Sequence, residues 1–468
     1  MTQLSLPKWL AYQTYKYGKE DSRTFISNER IHEYVLLEGL ASDLWKVISD
    51  TQDYNRVKEW ATSKGLDKEL DGFIDELKSQ DLISDTSDDT TSVDSEIQPV
   101  GCDNEEETLK LEEDMMKWCF KNGYLYSLFV ELTYNCNLKC VHCYNPKNIS
   151  STYINLDKMK QIIDEARELG VFHITFSGGE CTLDKDFIEI AEYARNKRMS
   201  VEIFTNGQTL YDNPDLLERI TNLYPYRVCL SVYSLNENTH EQITSTKGSH
   251  QKTLSAIKKL RTKNINVQIK NFLLNINCKD CISVKQFADE IQANMAGDAS
   301  LIPTIQGDKK NFQYIIDEDG LYELYANPQS SLSIKNAIKK DIVKIQNEGL
   351  CGGGSYSLCV TPTLEVHPCV SLPIDLGNLN DISLKDIWQG SLNKDLNSKL
   401  YKWQQVSFKD LKECYKEDYC AFCTYCAGMG MLENGYLKKS DVLCRQAKVK
   451  QKAYNDLHKN SEKEMQGV

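Results

Sequence analysis

The chain has 468 residues, more than one hydrophobic core ordinarily supports, so two or three domains are expected. Its 41% apolar content permits ordinary cores, while a net charge of -13 argues against nucleic acid or an anionic membrane surface as a partner. No run approaches 18 consecutive apolar residues and the N-terminal stretch lacks a secretory signal, which points to the cytoplasm, where 17 cysteines read as metal ligands rather than disulfides.

Short strands at Gln13 to Gly18, Arg23 to Ser27 and Ile31 to Leu37 come first. Three amphipathic helices follow, marked by Leu44, Trp45 and Ile48, by Val57 and Trp60, and by Leu70, Phe73, Ile74 and Leu77. That order predicts a winged-helix-like domain over residues 1–85. From Asp85 to Glu107 there are nine acidic residues and no basic ones, amid many Ser and Thr. Such composition cannot bury enough apolar surface to offset its ordering entropy, so 86–118 is expected to be a linker that isolates the units on either side.

Strands then alternate with helices. Leu128 to Thr133, Val171 to Phe176, Val201 to Phe204, Arg227 to Val232 and Val267 to Leu274 read as strands. Helical patterns at Leu156 to Leu169, Asp186 to Asn196, Leu216 to Leu223 and Thr253 to Leu260 separate them. The expected fold class is α/β, with a partial (β/α)6 TIM-type barrel over 119–320 whose chemistry sits at the C-terminal strand ends. A cysteine-rich domain over 321–468 completes the chain.

At the end of the first barrel strand, CNLKCVHCY carries Cys136, Cys140 and Cys143. Three thiolates can hold three irons of a 4Fe-4S cube and leave the fourth iron open for a ligand. A zinc site completed by His142 is disfavoured, because adjacent positions rarely converge on one ion. After residue 350, Cys351, Cys359, Cys369, Cys414, Cys420, Cys423, Cys426 and Cys444 supply eight thiols, as many as two complete cubes require. Cys102, Cys119, Cys229 and the CKDC pair Cys278 and Cys281 read as ordinary thiols.

The triplet, with an aromatic before its last cysteine, resembles the signature of the radical S-adenosylmethionine superfamily. FSGGE at the second strand end resembles that family's GGE motif. The resemblance implies that Gly178 and Gly179 let the backbone approach the cofactor while Glu180 accepts hydrogen bonds from its amino group. Cys181 stands where relatives often have proline. Thr205, Asn206 and Gly207 resemble the third strand's TNG, Ser231 a ribose contact, and Lys270 and Asn275 groups on the carboxylate side. The later cysteines resemble the SPASM auxiliary-cluster extension, although Leu364 stands where a glycine is usual. That resemblance implies a cluster I held by Cys351, Cys369 and one of Cys423 or Cys426. Cluster II would take Cys414, Cys420, Cys444 and the remaining thiol of that pair. Cys359 is either the fourth ligand of cluster I or a buried thiol, with the ligand reading preferred.

Taken together the resemblance implies S-adenosylmethionine, three 4Fe-4S clusters and a flavodoxin- or ferredoxin-type electron donor. The first 85 residues resemble a peptide-recognition domain, in which a precursor's leader would add a strand at the Ile31 to Leu37 edge. A maturase that installs a thioether or carbon-carbon crosslink in a ribosomally made peptide is therefore expected. The alternatives are a formylglycine-type sulfatase maturase, a peptide epimerase, or an iron-sulfur redox-sensing winged-helix regulator.

Overall fold

The computed structural model describes residues 3–17, 21–85, 105–146, 152–335, 337, 339–345 and 349–466. Most of the expected acidic linker, 86–104 with Cys102, lies outside these. Residues 105–118 do not form linker: they belong to the helix Glu105–Lys121. Its buried Met115 and Cys119 carry an apolar stripe that the acidic composition of its first turns conceals.

The N-terminal sheet is antiparallel, in the order β1 (Leu10–Tyr17), β2 (Asp21–Asn28), β3 (Glu33–Glu38). The third strand starts two residues later than expected because His32 takes φ 58° in the turn after Asn28, a conformation that ends regular pairing. One sheet face packs on the helices Leu40–Thr51, Tyr54–Ser63 and Leu70–Ser79 around Leu10, Ile26, Trp45 and Ile74. The opposite face carries Ala11, Tyr15 and Phe25, which share a second core with Met115, Cys119, Tyr126 and Phe172.

Six parallel strands in sequence order form the barrel sheet: β4 (Ser127–Thr133), β5 (His173–Gly178), β6 (Ser200–Thr205), β7 (Arg227–Ser231), β8 (Val267–Phe272) and β9 (Asn294–Asp298). The sixth, NMAGD, has none of the β-branched residues that mark the other five. The C-terminal region continues the same sheet. β10 (Ser357–Val360) pairs parallel with β4, and β11 (Glu365–His367) and β12 (Gly377–Asn378) follow as antiparallel strands. The sheet stays open, with β12 and β9 at its two ends, so the barrel is partial. Leu364, in the β10 to β11 turn, has φ 65°, the left-handed region that favours glycine and the physical reason for expecting one there. Among the described residues no helix is long and apolar enough to cross a membrane.

The N-terminal sheet is not isolated from the barrel. Phe25 meets Phe172, at the start of β5, edge-on at 4.9 Å. The Tyr12 N–H donates to the Arg198 carbonyl at 2.9 Å. Three arginines return the favour from the barrel side: Arg167 donates to the Tyr12 carbonyl at 2.6 Å, Arg195 to Lys8 at 3.0 Å and Arg198 to Pro7 at 2.6 Å. Contrary to the expectation of separable units, deleting residues 1–85 would uncover Tyr126 and Phe172. The remaining chain should aggregate on size-exclusion chromatography instead of running as a folded barrel. Phe25→Ala in the full chain should lower stability by about 3–5 kcal/mol in urea unfolding.

Candidate functional site

Backbone and side-chain hydrogen bonds hold the cysteine loop in place. Thr133 Oγ1 accepts from the Asn135 N–H at 3.0 Å, and Lys139 and Val141 donate their N–H groups to the carbonyls of Thr244 and Ile243. This ties the loop to the helix Glu237–Thr244. Cys136 is exposed, and Cys140 and Cys143 are half-buried. Desolvation, then the Glu180 carboxylate and Cys143, push Cys136 up to about 11, and desolvation, then Cys143 and Cys136, push Cys140 up to about 12. These shifts oppose the thiolate form, which a bound cation favours. Among the described residues no three His, Cys, Asp or Glu side chains gather as for one metal ion. A cube takes each thiolate on a different iron and does not ask for that convergence. His142 stacks on Phe272 at 5.1 Å, buried, with its imidazole pulled down to about 4 by desolvation.

At the two glycines of the GGE stretch the backbone also makes a close contact with the cysteine loop. A Cβ on Gly178, at φ 129°, would fall 2.2 Å from the Thr133 carbonyl oxygen, and one on Gly179 would fall 2.4 Å from that of Asn135. Their bareness lets the β5 end close onto the cysteine loop, where the Gly179 and Glu180 N–H groups donate to Thr133 and Asn135. Glu180 likewise turns its carboxylate onto the protein. Oε1 accepts from the Thr182 N–H and hydroxyl and from the Thr205 hydroxyl, and Oε2 accepts from the Asn206 N–H at 2.6 Å. Burial raises its pKa while these donors hold it down. Asn206 then reaches back, its Nδ2 lying 2.7 Å from Asn137 Oδ1 and 3.7 Å from Cys136 Sγ.

One cavity of about 1140 Å³ gathers these groups. It is lined by all three loop cysteines, Gly178, Gly179, Glu180, Asn206, Ser231 and Lys270. Ser231 and Lys270 are register partners on β7 and β8, and Lys270 Nζ lies 5.3 Å from the Phe204 ring centre. Asn275 is not among them: it lies exposed, donating through Nδ2 to the Gln313 carbonyl. Sequence reasoning missed Phe129, Tyr134, Tyr144 and Phe272 in this wall, although Tyr144 stands beside the last loop cysteine. It also missed that the C-terminal region contributes Val370, Ser371, Cys426 and Met429 to the lining.

The remaining thiols divide into two groups. Cys414, Cys420, Cys423 and Cys444 surround a cavity of about 20 Å³ with Tyr415, Tyr419 and Tyr425. Burial, then Cys444, Cys420 and Cys414, push Cys423 up to about 12. Cys351 has Cys369 and Cys426 as its thiol neighbours. Cys359 is fully buried inside β10, opposite His367 on β11 and Phe129 on β4, and its thiol is raised by burial and then by Glu131 and Cys369. Cys181 is buried against the Phe204 carbonyl, Cys229 against Glu202, and Cys281 against Ser331. A thiol-lined loop, a glycine cradle and polar groups on three further strands, all on one cavity, suit a cluster with an open iron and a polar, charged cofactor beside it.

Comparison with known proteins agrees. Residues 130–277 match the radical SAM superfamily and residues 351–427 the SPASM iron-sulfur cluster-binding domain. The chain is 27% identical to the antilisterial bacteriocin subtilosin biosynthesis protein AlbA of Bacillus subtilis, over 69% of this chain and 71% of that protein. It is 26% identical to an AdoMet-dependent heme synthase of Methanosarcina barkeri, over 64% of this chain and 89% of that one. For a PqqA peptide cyclase of Gluconobacter oxydans the identity is 26%, over 56% and 76%. In fold it is similar to Streptococcus suis SuiB in complex with its precursor peptide SuiA, with TM-score 0.58 at 15% identity over 95% of this chain and all of that one. The cysteine loop and cradle thus lie in a radical S-adenosylmethionine domain, which a SPASM domain follows in the chain.

Proposed function

We propose that this protein is a maturase that installs an intramolecular crosslink in a ribosomally made precursor peptide. The observation that carries the reading is the shared cavity, whose lining includes both the cofactor cradle and the SPASM thiol Cys426. The peptide-modifying relatives, the subtilosin biosynthesis protein and the PqqA peptide cyclase, support a peptide substrate. When bound, S-adenosylmethionine and its cluster supply a radical that takes a hydrogen atom from the substrate, and the SPASM clusters supply a one-electron acceptor.

Cys136, Cys140 and Cys143 would hold the first cluster. Asn206, Ser231 and Lys270 would orient the cofactor, with Gly178, Gly179 and Glu180 fixing the cradle that receives it. Cys351, Cys369 and Cys426 would hold auxiliary cluster I, and Cys414, Cys420, Cys423 and Cys444 cluster II. We set Cys359 aside as a buried sheet thiol, which leaves cluster I with three cysteine ligands. A flavodoxin- or ferredoxin-type carrier would deliver electrons, and the cytoplasm, where thiols stay reduced, would be the compartment. Residues 1–85 would recognise the leader, adding it beside β3, an end strand of its sheet among the described residues.

Anaerobically reconstituted protein should hold about 12 iron atoms per chain. Changing Cys136, Cys140 and Cys143 together to Ala should remove about a third and abolish cofactor cleavage, while Cys359→Ala should leave iron content and cluster spectra unchanged. Loss of four irons with Cys359→Ala would restore it as a ligand.

The leader site and the cavity lie at opposite ends of the barrel strands. The N-terminal sheet contacts the strand starts at Tyr126, Phe172 and Tyr226, whereas the cavity opens at the strand ends. The seven residues of β4 alone span about 23 Å at 3.3 Å each, so the peptide needs roughly seven extended residues between its β3-paired segment and the modified position. Shortening that spacer below this length should abolish crosslinking, read by mass spectrometry, without changing leader affinity by fluorescence anisotropy. Val35→Pro should weaken the leader affinity instead. Equal affinity for wild type and the Pro variant would remove β3 as the docking edge.

A further inference from the structure

Glu131 is a buried carboxylate, 1% exposed, for which neither the cradle nor the clusters have a use. It sits two residues beyond Phe129 on β4, and in a strand such residues share a face. Phe129 lines the reaction cavity, and Leu128, Val130 and Leu132 fill the helix-side core, so Glu131 belongs to the inward face. Its Oε1 accepts a hydrogen bond from the Tyr144 hydroxyl at 3.2 Å, and its Oε2 is buried with no hydrogen-bond partner. Tyr144 and Tyr134 both line the cavity, so the carboxyl stands one side chain behind its wall.

The groups that face it are the Tyr134 and Tyr144 phenols from the cysteine loop, Ser177 opposite it on β5 and the Cys359 thiol from β10. No lysine, arginine or histidine is among them, so nothing in its surroundings holds it ionised by charge. Leaving a buried acceptor unpaired costs roughly 1–3 kcal/mol. Glu131 keeps this cost on one oxygen while Tyr144 satisfies the other.

Resting on the proposed crosslinking function, we propose that Glu131 is the proton acceptor for bond closure, working across the cavity wall through the Tyr144 hydroxyl. The balance requires such a group. Once a substrate carbon has lost its hydrogen atom to the cofactor-derived radical, closure joins that carbon to the partner atom X, breaks the X–H bond, and releases one proton and one electron. The electron goes to a SPASM iron-sulfur cluster, and the proton goes to Glu131. Burial pushes this carboxyl up to about 7 against the pull of the two phenols, where an acceptor is ionised in part of the population at neutral pH and still binds its proton well. The carboxyl is deprotonated above that point, so crosslinking should rise with pH through about 7.

Glu131→Gln separates this role from a structural one, because the amide oxygen still accepts from Tyr144 but cannot take a proton. Crosslinked peptide per deoxyadenosine released should fall roughly 10²-fold, and the rise with pH should disappear. Glu131→Asp should restore part of the yield. Independently of turnover, infrared spectra of the wild-type holoenzyme should show a protonated carboxyl band that vanishes as pH is raised through about 7 and is absent from Glu131→Gln. A Gln variant that crosslinks at the wild-type ratio with an unaltered pH profile would overturn the proposal, as would a wild-type spectrum with no carboxyl titrating near 7. A wild-type enzyme that makes no crosslink while keeping the titrating band would instead overturn the proposed function.

Discussion

The contact on which the site depends is the closure of the β5 end onto the cysteine loop. Backbone oxygens of Thr133 and Asn135 come so near Gly178 and Gly179 that no side chain fits at either position. Glu180 extends this lock to β6, because its two oxygens gather donors from Thr182, Thr205 and Asn206. Asn206 closes the circuit by returning to Asn137 and the edge of Cys136. Three strand ends and the loop are therefore one hydrogen-bonded piece. Its rigidity lets a short, otherwise irregular loop hold thiols at fixed places.

That rigidity works against the thiols' own chemistry. Desolvated and set near other acidic groups, Cys136 and Cys140 resist ionisation, and so do Cys351, Cys414 and Cys423 in the C-terminal region. Metal binding must supply the charge that makes them thiolates, which couples the folded site to its metals. The pairing of β10 with β4 brings the two metal-binding regions together. It continues the barrel sheet into the SPASM region, which adds Val370, Ser371 and Cys426 to the lining of the cavity.

How much of this was legible in the sequence varied with the kind of signal. The five strands rich in Val, Ile and Phe, the three N-terminal helices and the cysteine loop stood out, because periodicity and spacing are local. β9 did not, since NMAGD has a half-exposed pattern without branched residues. The helix Glu105–Lys121 was hidden by its acidic start although Leu111, Met115 and Trp118 recur at helical spacing. Cradle residues could be named but their partners could not: only tertiary contacts bring the Glu180 carboxylate onto Thr205 and Asn206 and turn Asn275 out to Gln313. Spacing also could not separate Cys423 from Cys426, each two residues from its neighbour. The fold separates them by facing Cys426 into the large cavity and Cys423 into the small one.

The docking of the N-terminal sheet gives the reading of recognition a definite physical form. Arg195 is buried and donates to three carbonyls, of Leu223, Met199 and Lys8, so it joins strand starts to the N-terminal segment by charge-assisted bonds that a loose domain could not keep. A sheet held this way cannot swing its edge strand towards the strand ends. On the proposed reading, a leader bound at β3 therefore acts on the reaction through the length of chain that follows it: it raises the local concentration of the core peptide at the cavity. On that reading the position of attack is left to the cavity itself, whose lining includes the apolar Phe129, Phe272, Val370 and Met429 and also Tyr144, whose hydroxyl donates to Glu131. Affinity and regiochemistry are in this way assigned to opposite ends of one rigid sheet.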